Sequence, residues 1–243
     1  MTVMEYNRIL AVGDIHGMYE KLVSLMELIQ FNQDDDLLIF LGDYIDRGPQ
    51  SLECLDYVMN LNKQYPERVI PLLGNHEVMC LNYYRYKQQS KSFMSDSLDY
   101  EMAHVWLDNG GKKLKKQFEY KLGKFEREKL LRWMRMLSNH YQIGDYYFCH
   151  AGIQPFISLD KQKEGDLLWI REGFFDLYDG RYGTIVAGHT PVQELQKKYW
   201  TDGQPPSTPQ FLDNKIILCD TGSFMDGGKL SCVDVLTGEY WQV

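Results

Sequence analysis

Cysteine is sparse in this 243-residue chain, and its spacing is irregular. The five cysteines form no CxxC pair; they are Cys54, Cys80, Cys149, Cys219 and Cys232. An odd number without such a pattern disfavours a disulfide framework and predicts thiols that stay reduced, as in the cytoplasm. Cys149 and Cys219 lie within hydrophobic runs, so we expect them to be core side chains rather than nucleophiles.

Long hydrophobic runs and an excess of positive charge are absent as well. No stretch approaches the ~20 apolar residues of a membrane-spanning helix, and no apolar signal segment precedes Arg8. We therefore expect a cytoplasmic protein without a membrane partner. Acidic residues outnumber basic ones by 34 to 26, which gives a net charge of -8. This balance weighs against a general nucleic-acid partner.

The remaining composition is that of a globular protein, with 44% hydrophobic and 25% charged residues. A chain of this length can bury a full core. Candidate metal-binding side chains, which must converge to form one site, are spread from residue 14 to residue 189. We therefore predict a single domain, 1–243, rather than two domains.

The first third of the chain alternates strand and helix signals. Predicted strands and helices follow one another in the order Arg8–Val12, Tyr19–Ile29, Leu37–Leu41, Ser51–Leu61 and Val69–Leu73. This βαβαβ order predicts parallel pairing with right-handed crossovers.

The rest of the chain divides into a helical part and a second β part. A mainly helical insertion is predicted at about 80–140, including an amphipathic helix over Lys124–Leu137. An exposed loop is predicted over Asp202–Pro209. Later strands are predicted at Tyr141–Ile143, Tyr146–Cys149, Thr184–Ala187, Ile216–Cys219, Leu230–Val235 and Glu239–Val243. Parallel strands first and antiparallel strands later predict an α/β fold in which two mixed β-sheets pack as a central sandwich flanked by helices.

Five of the strand-like stretches end on a side chain that can bind metal. These side chains are Asp14, Asp43, Asn75, His150 and His189, and a glycine precedes all of them except His150. Strands of one sheet deliver their carboxyl ends to one edge. Oxygen and imidazole ligands gathered there are typical of a divalent-metal site.

Each motif alone has an ordinary explanation. Asp14 could simply cap a helix, Asp46 and Arg47 could form a surface ion pair, and His76 could be a core histidine. However, four of the six histidines fall in these motifs: His16, His76, His150 and His189. Since His76 adjoins Asn75, its side chain should point away from the amide, which favours proton transfer over ligation. Taken together, the motifs favour a metal site.

The segments GDIHG, GDYIDRG, GNHE, HAG and GHT occur in this order between residues 13 and 190. They resemble the PPP family of calcineurin-like metallophosphoesterases, and within it the bacterial and phage Ser/Thr protein phosphatases. The tail Leu218–Ser231 also resembles the end of that domain. The resemblance implies one metal on Asp14, His16 and Asp43, and a second on Asp43, Asn75, His150 and His189.

The resemblance also implies the remaining roles. A hydroxide bridging the two metals would attack phosphorus, and His76 would protonate the leaving oxygen while Asp46 orients it. Arg47 and Arg171 would hold the phosphate. Two divalent ions are expected, with Mn favoured by the resemblance, although such ligands also accept Fe, Zn, Co or Ni. A CX5R cysteine phosphatase is excluded, because Cys80 and Arg85 are one residue too close.

Three functions remain open at this point. The leading hypothesis is a phosphomonoesterase acting on phosphoserine and phosphothreonine in proteins, with small phosphate esters as further substrates. Asp46 and Glu77 motivate it, because the branch that cleaves diadenosine tetraphosphate symmetrically tends to have Ala and Asp at these positions. That nucleotide hydrolase is the alternative. A non-catalytic metal-binding interaction module is disfavoured, because every expected site residue is present.

Overall fold

The computed structural model describes residues 6–89, 104–171, 173–199 and 205–243. Within these residues the α-helices include α1 (Tyr19–Ile29), α2 (Ser51–Gln64), α3 (Asn75–Gln89), α4 (Lys112–Tyr120), α5 (Lys124–Arg135), α6 (Glu164–Trp169) and α7 (Phe174–Leu177), and a π-helical turn at Leu107–Gly111 precedes α4. The strands are β1 (Arg8–Val12), β2 (Asp36–Phe40), β3 (Val69–Pro71), β4 (His140–Ile143), β5 (Tyr146–Cys149), β6 (Thr184–Ala187), β7 (Gln210–Leu212), β8 (Ile216–Leu218), β9 (Ser231–Asp234) and β10 (Tyr240–Gln242).

The strands form two mixed five-stranded sheets. The first has the order β10-β9-β1-β2-β3, and the second has the order β4-β5-β6-β8-β7. In the first sheet β1, β2 and β3 are parallel, as the βαβαβ pattern predicts, and β9 is antiparallel to β1. The prediction of two mixed sheets flanked by helices is confirmed.

The expectation that the later strands are antiparallel is wrong for the centre of the second sheet. Strands β5, β6 and β8 are parallel, and only β4 and β7 at the edges run antiparallel to their neighbours. The physical reason is the length of the connections, residues 150–183 and 188–215. Both are long enough for the crossover that a parallel pair requires. As a result, both sheets present carboxyl strand ends.

The two sheets pack face to face through apolar side chains. Ile39 and Leu41 from the first sheet meet Phe148, Val186 and Ile217 from the second in one buried cluster. All five residues of β2 are buried, because helices cover the opposite face of its sheet. A strand covered on both faces has a continuous hydrophobic sequence rather than an alternating one.

Helices pack against the outer face of the first sheet. Leu22 and Leu25 of α1 join Leu55 and Val58 of α2 in a cluster that also contains the helical region between β3 and β4. The predicted insertion at about 80–140 is helical over α3, α4 and α5, and residues 90–103 lie outside the described residues. The predicted helix Lys124–Leu137 ends two residues earlier, at Arg135.

Smaller details also differ from the prediction. Strand β7 was not predicted, because it is a three-residue edge strand beside a segment dominated by turn residues. Residues 205–209 of the predicted loop are irregular, and residues 202–204 lie outside the described residues. All five cysteines are buried and free. Every helix in the described part of the chain is too short or too polar to cross a lipid bilayer.

Candidate active site at the carboxyl ends of the strands

The carboxyl ends of five parallel strands meet between the two sheets and bring the predicted ligands together. Asp43 Oδ2 lies 3.6 Å from His16 Nε2, and Asp43 Oδ1 lies 3.5 Å from His150 Nε2. The backbone N–H of His189 donates to Asp14 Oδ1 at 3.0 Å. All six predicted ligands are buried: Asp14, His16, Asp43, Asn75, His150 and His189.

The turns that carry these side chains have an unusual backbone conformation. His16, Asp43, Asp46, Arg47 and His189 all have left-handed φ angles, between 48° and 73°. Residues other than glycine rarely adopt this conformation, and surrounding contacts must hold it in place. Such conformations concentrate at functional sites, which agrees with the predicted function of these turns.

Glycines before the ligands allow the turns to pack against each other. A Cβ on Gly74 would lie 2.2 Å from Asp43 Oδ1, and a Cβ on Gly188 would lie 2.2 Å from Asp14 Oδ1. These distances are too short for any side chain, so each glycine permits the close approach of a ligand from another strand. A glycine directly before a ligand, such as Gly74 or Gly188, therefore serves tertiary packing as well as turn formation.

Glu77 holds the turn that carries Asp43. Its carboxylate accepts hydrogen bonds from the backbone N–H groups of Asp43, Tyr44, Ile45 and Gly74, at 2.9–3.3 Å. Burial raises the pKa of Glu77 to about 7, while the backbone donors oppose this shift. In the sequence, Glu77 favours a protein substrate over a dinucleotide. The structure places it beneath the turn, where its direct role is to shape the backbone.

We expect Glu77→Gln to lower the free energy of unfolding by about 2–4 kcal/mol, because the new amide group would face backbone donors that need an acceptor. Urea unfolding at pH 8 would measure this loss. The exposed Glu67→Gln serves as the matched control. Unchanged stability of Glu77→Gln would show that the four hydrogen bonds are not needed to hold the turn.

Two of the histidines direct an unprotonated ring nitrogen, Nε2, toward the carboxylates. His150 Nδ1 lies 2.9 Å from the Leu41 carbonyl oxygen. Because a carbonyl can only accept, Nδ1 carries the proton and Nε2 is free to bind a cation. That Nε2 faces Asn75 Oδ1 at 2.9 Å and Asp43 at 3.5 Å. A histidine tied through its other nitrogen to a backbone carbonyl is the usual arrangement in a metal site.

His16 has the same arrangement on the other side of Asp43. Its Nδ1 lies 3.0 Å from the Ile45 carbonyl, and its Nε2 faces Asp43 at 3.6 Å and Asp14 at 3.9 Å. The side-chain oxygen of Asn75 also faces other acceptors. With the amide turned over, its nitrogen would donate to Asp43 and His150. Several acceptors therefore converge around Asp43, and a bound cation would satisfy them.

Two ligand groups share Asp43. In one, donor atoms of His16, Asp43 and His76 lie within 4.8 Å of one another; in the other, those of Asp43, His150 and His189 do. Among the described residues, His189 Nε2 is buried without a hydrogen-bond partner. Burial raises the pKa of the Asp14 and Asp43 carboxyls well above the usual value. Bound cations would offset this cost, so the donor set fits two divalent ions.

His76 lies beside Asp43 and contacts Asp46. His76 Nδ1 is 2.7 Å from Asp46 Oδ2, and Asp46 also accepts the indole N–H of Trp106 at 2.9 Å. A neighbouring carboxylate such as Asp46 ordinarily stabilises the protonated form of a histidine. Instead, burial and the charge of Arg47 lower the pKa of His76 to about 3. The expected effect of Asp46 is outweighed by the removal of His76 from water.

His76 Nε2 is 3.9 Å from Asp43 Oδ2, the distance that separates His16 Nε2 from Asp14 Oδ2. The distances alone therefore admit His76 both as a ligand and as a proton donor. Its contact with Asp46 favours the second role, because the same arrangement of carboxylate and imidazole orients a general acid or base. The acid role of His76 stays a prediction.

Arg47 and Arg171 line a cavity of about 190 Å³ above the ligands, together with Phe224 and Glu194. The Arg47 guanidinium lies over the Phe224 ring at 5.3 Å, and Arg171 Nη1 is 3.5 Å from Glu194 Oε2. Both side chains are exposed. Burial chiefly lowers the pKa of His150, and the positive charge of Arg171 adds a smaller contribution in the same direction. The cavity can therefore accept an anion over the metal ligands.

Three residues of this site are not among those predicted from the sequence: Asp220, Trp106 and Phe224. Asp220 is buried, its Oδ2 has no hydrogen-bond partner among the described residues, and burial raises its pKa to about 7. One residue separates Asp220 from the end of β8, as one residue separates Asp14 from the end of β1. The strand-end pattern therefore applies to Asp220 as well. No local signal identifies Trp106 or Phe224, which reach the site from distant parts of the chain.

Comparison with known proteins agrees with this geometry. The family profile of the calcineurin-like phosphoesterases matches residues 7–222. The serine/threonine-protein phosphatase 2 of Salmonella typhimurium is 30% identical over 231 residues, which cover 91% of this chain and 90% of that protein. A symmetrical bis(5'-nucleosyl)-tetraphosphatase of Methylococcus capsulatus is 33% identical over 147 residues, 60% of this chain. The match spans only 44% of that enzyme.

Solved structures show the same fold. A protein provisionally assigned as a diadenosine tetraphosphatase superposes with a TM-score of 0.67 at 20% identity, over 100% of this chain and 95% of that one. A yeast serine/threonine phosphatase with similarity to human PP5 gives a TM-score of 0.63 at 19% identity, over 96% and 74%. At this identity the structures support the fold alone. Because the family profile spans all the predicted motifs, the chain belongs to the calcineurin-like phosphoesterase family of metal-dependent hydrolases.

Proposed function

We propose that this metallophosphoesterase is a phosphomonoesterase that hydrolyses phosphoserine and phosphothreonine in proteins. The observation that carries the proposal is the 2.7 Å contact between His76 Nδ1 and Asp46 Oδ2, beside the ligand cluster. The leaving group of a phosphoserine is a strongly basic alkoxide, which needs a proton as it departs. The leaving group of a dinucleotide is a weakly basic phosphate, which needs one far less. An oriented imidazole therefore favours the ester substrate.

The proposed metal sites use the residues around Asp43. One ion would be held by Asp14, His16 and Asp43, and the second by Asp43 together with Asn75, His150 and His189. The two ions would lower the pKa of a bound water and neutralise charge on the phosphoryl oxygens. Manganese is our expected metal.

The chain's own residues would bind the phosphate and supply the proton. Arg47 and Arg171 line the cavity, and guanidinium groups match phosphoryl oxygens in a bidentate manner. Arg171 can leave Glu194 at little cost, because that ion pair is exposed. A phosphate bound to Arg47 would offset the charge that contributes to the low pKa of His76. Substrate binding would thus favour the protonated, acidic form of His76.

The length of the matched relatives supports the same choice. The Salmonella phosphatase is matched over 90% of its sequence, whereas the Methylococcus tetraphosphatase is matched over 44%. A relative of matching extent is the better guide to what this chain does as a whole. The tetraphosphatase remains the alternative, because several such enzymes align with the chain, two of them at 33% identity.

One preparation loaded with Mn²⁺ can separate the hypotheses. We expect a phosphoserine peptide to be hydrolysed with a kcat/KM at least roughly tenfold above that for diadenosine tetraphosphate, a difference of about 1.4 kcal/mol in the barrier. Rapid turnover of the dinucleotide with inert phosphopeptides would establish the alternative. A metal-loaded protein that also fails to hydrolyse para-nitrophenyl phosphate would instead be an interaction module. Addition of a chelator provides the control for metal dependence.

A further inference from the structure

Part of the helical region between β3 and β4 lies over the turn that carries Asp46. The indole N–H of Trp106 donates to both oxygens of Asp46, at 3.1 and 2.9 Å. Lys113 Nζ donates to the Arg47 carbonyl, and Gln117 Nε2 donates to the Pro49 carbonyl, each at 3.2 Å. Residues 104–117 therefore contact the turn at Asp46, Arg47 and Pro49.

Trp106 is held firmly in this position. Its side chain is fully buried, and its ring packs against Tyr83 at 5.2 Å and Tyr84 at 5.9 Å between centroids. A Cβ on Gly111 would lie 2.3 Å from the indole, so the backbone closes directly over the ring. The indole cannot change its orientation without disturbing this packing. Its N–H can only donate, so Asp46 must act as the acceptor.

Asp46 needs such a partner to hold a single orientation. Its backbone is fixed by a left-handed φ of 73° and by its N–H, which donates to Ser51 Oγ at 3.0 Å. Its carboxylate can still turn, because the final torsion of an Asp side chain has a broad, flat energy profile. The contact with His76 involves Oδ2 alone, whereas Trp106 reaches both oxygens.

We infer that Trp106 is a positioning residue: its indole N–H sets the plane of the Asp46 carboxylate, which in turn orients the His76 ring toward the leaving group. This inference rests on the proposed phosphomonoesterase function, in which His76 is the proton donor. It gives the helical region a role in the chemical step. The role is indirect, since Trp106 acts through Asp46 and does not itself line the cavity.

Trp106→Phe keeps a buried ring and removes the N–H donor. A general acid contributes roughly 10²–10⁴-fold, so partial misplacement of His76 should lower kcat by about ten- to a hundredfold on a phosphoserine peptide. On para-nitrophenyl phosphate, whose leaving group needs little protonation, we expect a loss under about threefold. KM should stay unchanged for both substrates. Trp133→Phe, in α5 and outside the cavity, is the matched control and should leave both rates unchanged.

The two substrates distinguish positioning from general damage. Equal losses of kcat on both substrates in Trp106→Phe would overturn the inference, because a merely structural defect does not depend on the leaving group. If the wild-type protein hydrolyses neither substrate, the proposed function fails, and so does the role in proton donation. The contact itself can be tested separately.

NMR of the metal-free protein supplies that separate test. The chain has five tryptophans, so ¹⁵N labelling should give five indole signals, and Trp106→Phe identifies the relevant one. Asp46→Asn replaces the carboxyl acceptor with an amide and should move that signal while leaving the other four in place. An unmoved Trp106 signal would show that the indole does not bind Asp46 and would overturn the inference even if Trp106→Phe fails to fold.

Discussion

Asp43→Asn is expected to empty or scramble both metal positions and to lower kcat/KM by about a thousandfold or more. Asp43 is the one carboxylate common to both ligand groups. Its replacement removes a negative charge that would lie between the two ions, and such ions supply several kcal/mol of charge stabilisation, of which about 4 kcal/mol corresponds to a thousandfold. Metal content by mass spectrometry, alongside turnover of para-nitrophenyl phosphate, measures both effects.

The fold should survive this substitution. The backbone N–H of His76 donates to Asp43 Oδ1 at 3.0 Å, and an asparagine oxygen can accept the same bond. Burial and the neighbouring Glu77 raise the pKa of Asp43, so the metal-free variant should be at least as stable as the metal-free wild type. Only the rise in melting temperature on adding Mn²⁺ should disappear.

The matched control for Asp43→Asn is Asp108→Asn, an exposed aspartate paired with Lys112. It should retain metal, activity and the stabilisation by Mn²⁺. Two ions still bound with normal occupancy in Asp43→Asn would contradict the bridging role of this residue. Loss of a single ion would show that Asp43 belongs to one site only.

His76→Asn is expected to lower kcat on a phosphoserine peptide by roughly 10²–10⁴-fold, the range of a general acid, while metal content stays near wild type. The asparagine amide can occupy part of the ring's place and can still donate to Asp46, but it cannot transfer a proton. The kcat for para-nitrophenyl phosphate should fall less, because its leaving group is weakly basic. Steady-state kinetics on both substrates and metal analysis of the same samples provide the measurement.

Metal analysis is decisive for His76 because the distances alone do not assign its role. Its Nε2 lies 3.9 Å from Asp43 Oδ2, close enough for it to belong to the first ligand group. If metal and turnover vanish together in His76→Asn, His76 is a ligand and the assignment as an acid is wrong. His140→Asn is a suitable control, since His140 is exposed on β4 and bonds to its neighbour Asn139.

The fold was predictable where local patterns dominate. The alternation of strand and helix over the first seventy residues predicts β1, α1, β2, α2 and β3 with small errors at their ends. The direction of β6 and β8 was not predictable in the same way. The sequences of these strands do not indicate parallel pairing. Which strands they pair with depends on how the long connections cross the sheet.

Local sequence predicts which side chains end the strands, because strand periodicity and a glycine turn are local properties. These patterns indicate five candidate ligands, and the resemblance to the phosphoesterases implies His16 as a sixth, a proton donor with its partner, and two arginines. The structure brings all ten residues to one place.

How these residues act on each other depends on the packing of distant segments, which the structure shows. The structure placed Asp43 between two ligand groups, Glu77 beneath the turn rather than toward a substrate, and Asp220 at the same edge. It also brought Trp106 to Asp46 across 60 residues of sequence. Hydrogen bonds between distant segments, and the burial of side chains where those segments meet, depend on how helices and sheets pack. Local periodicity does not predict that packing.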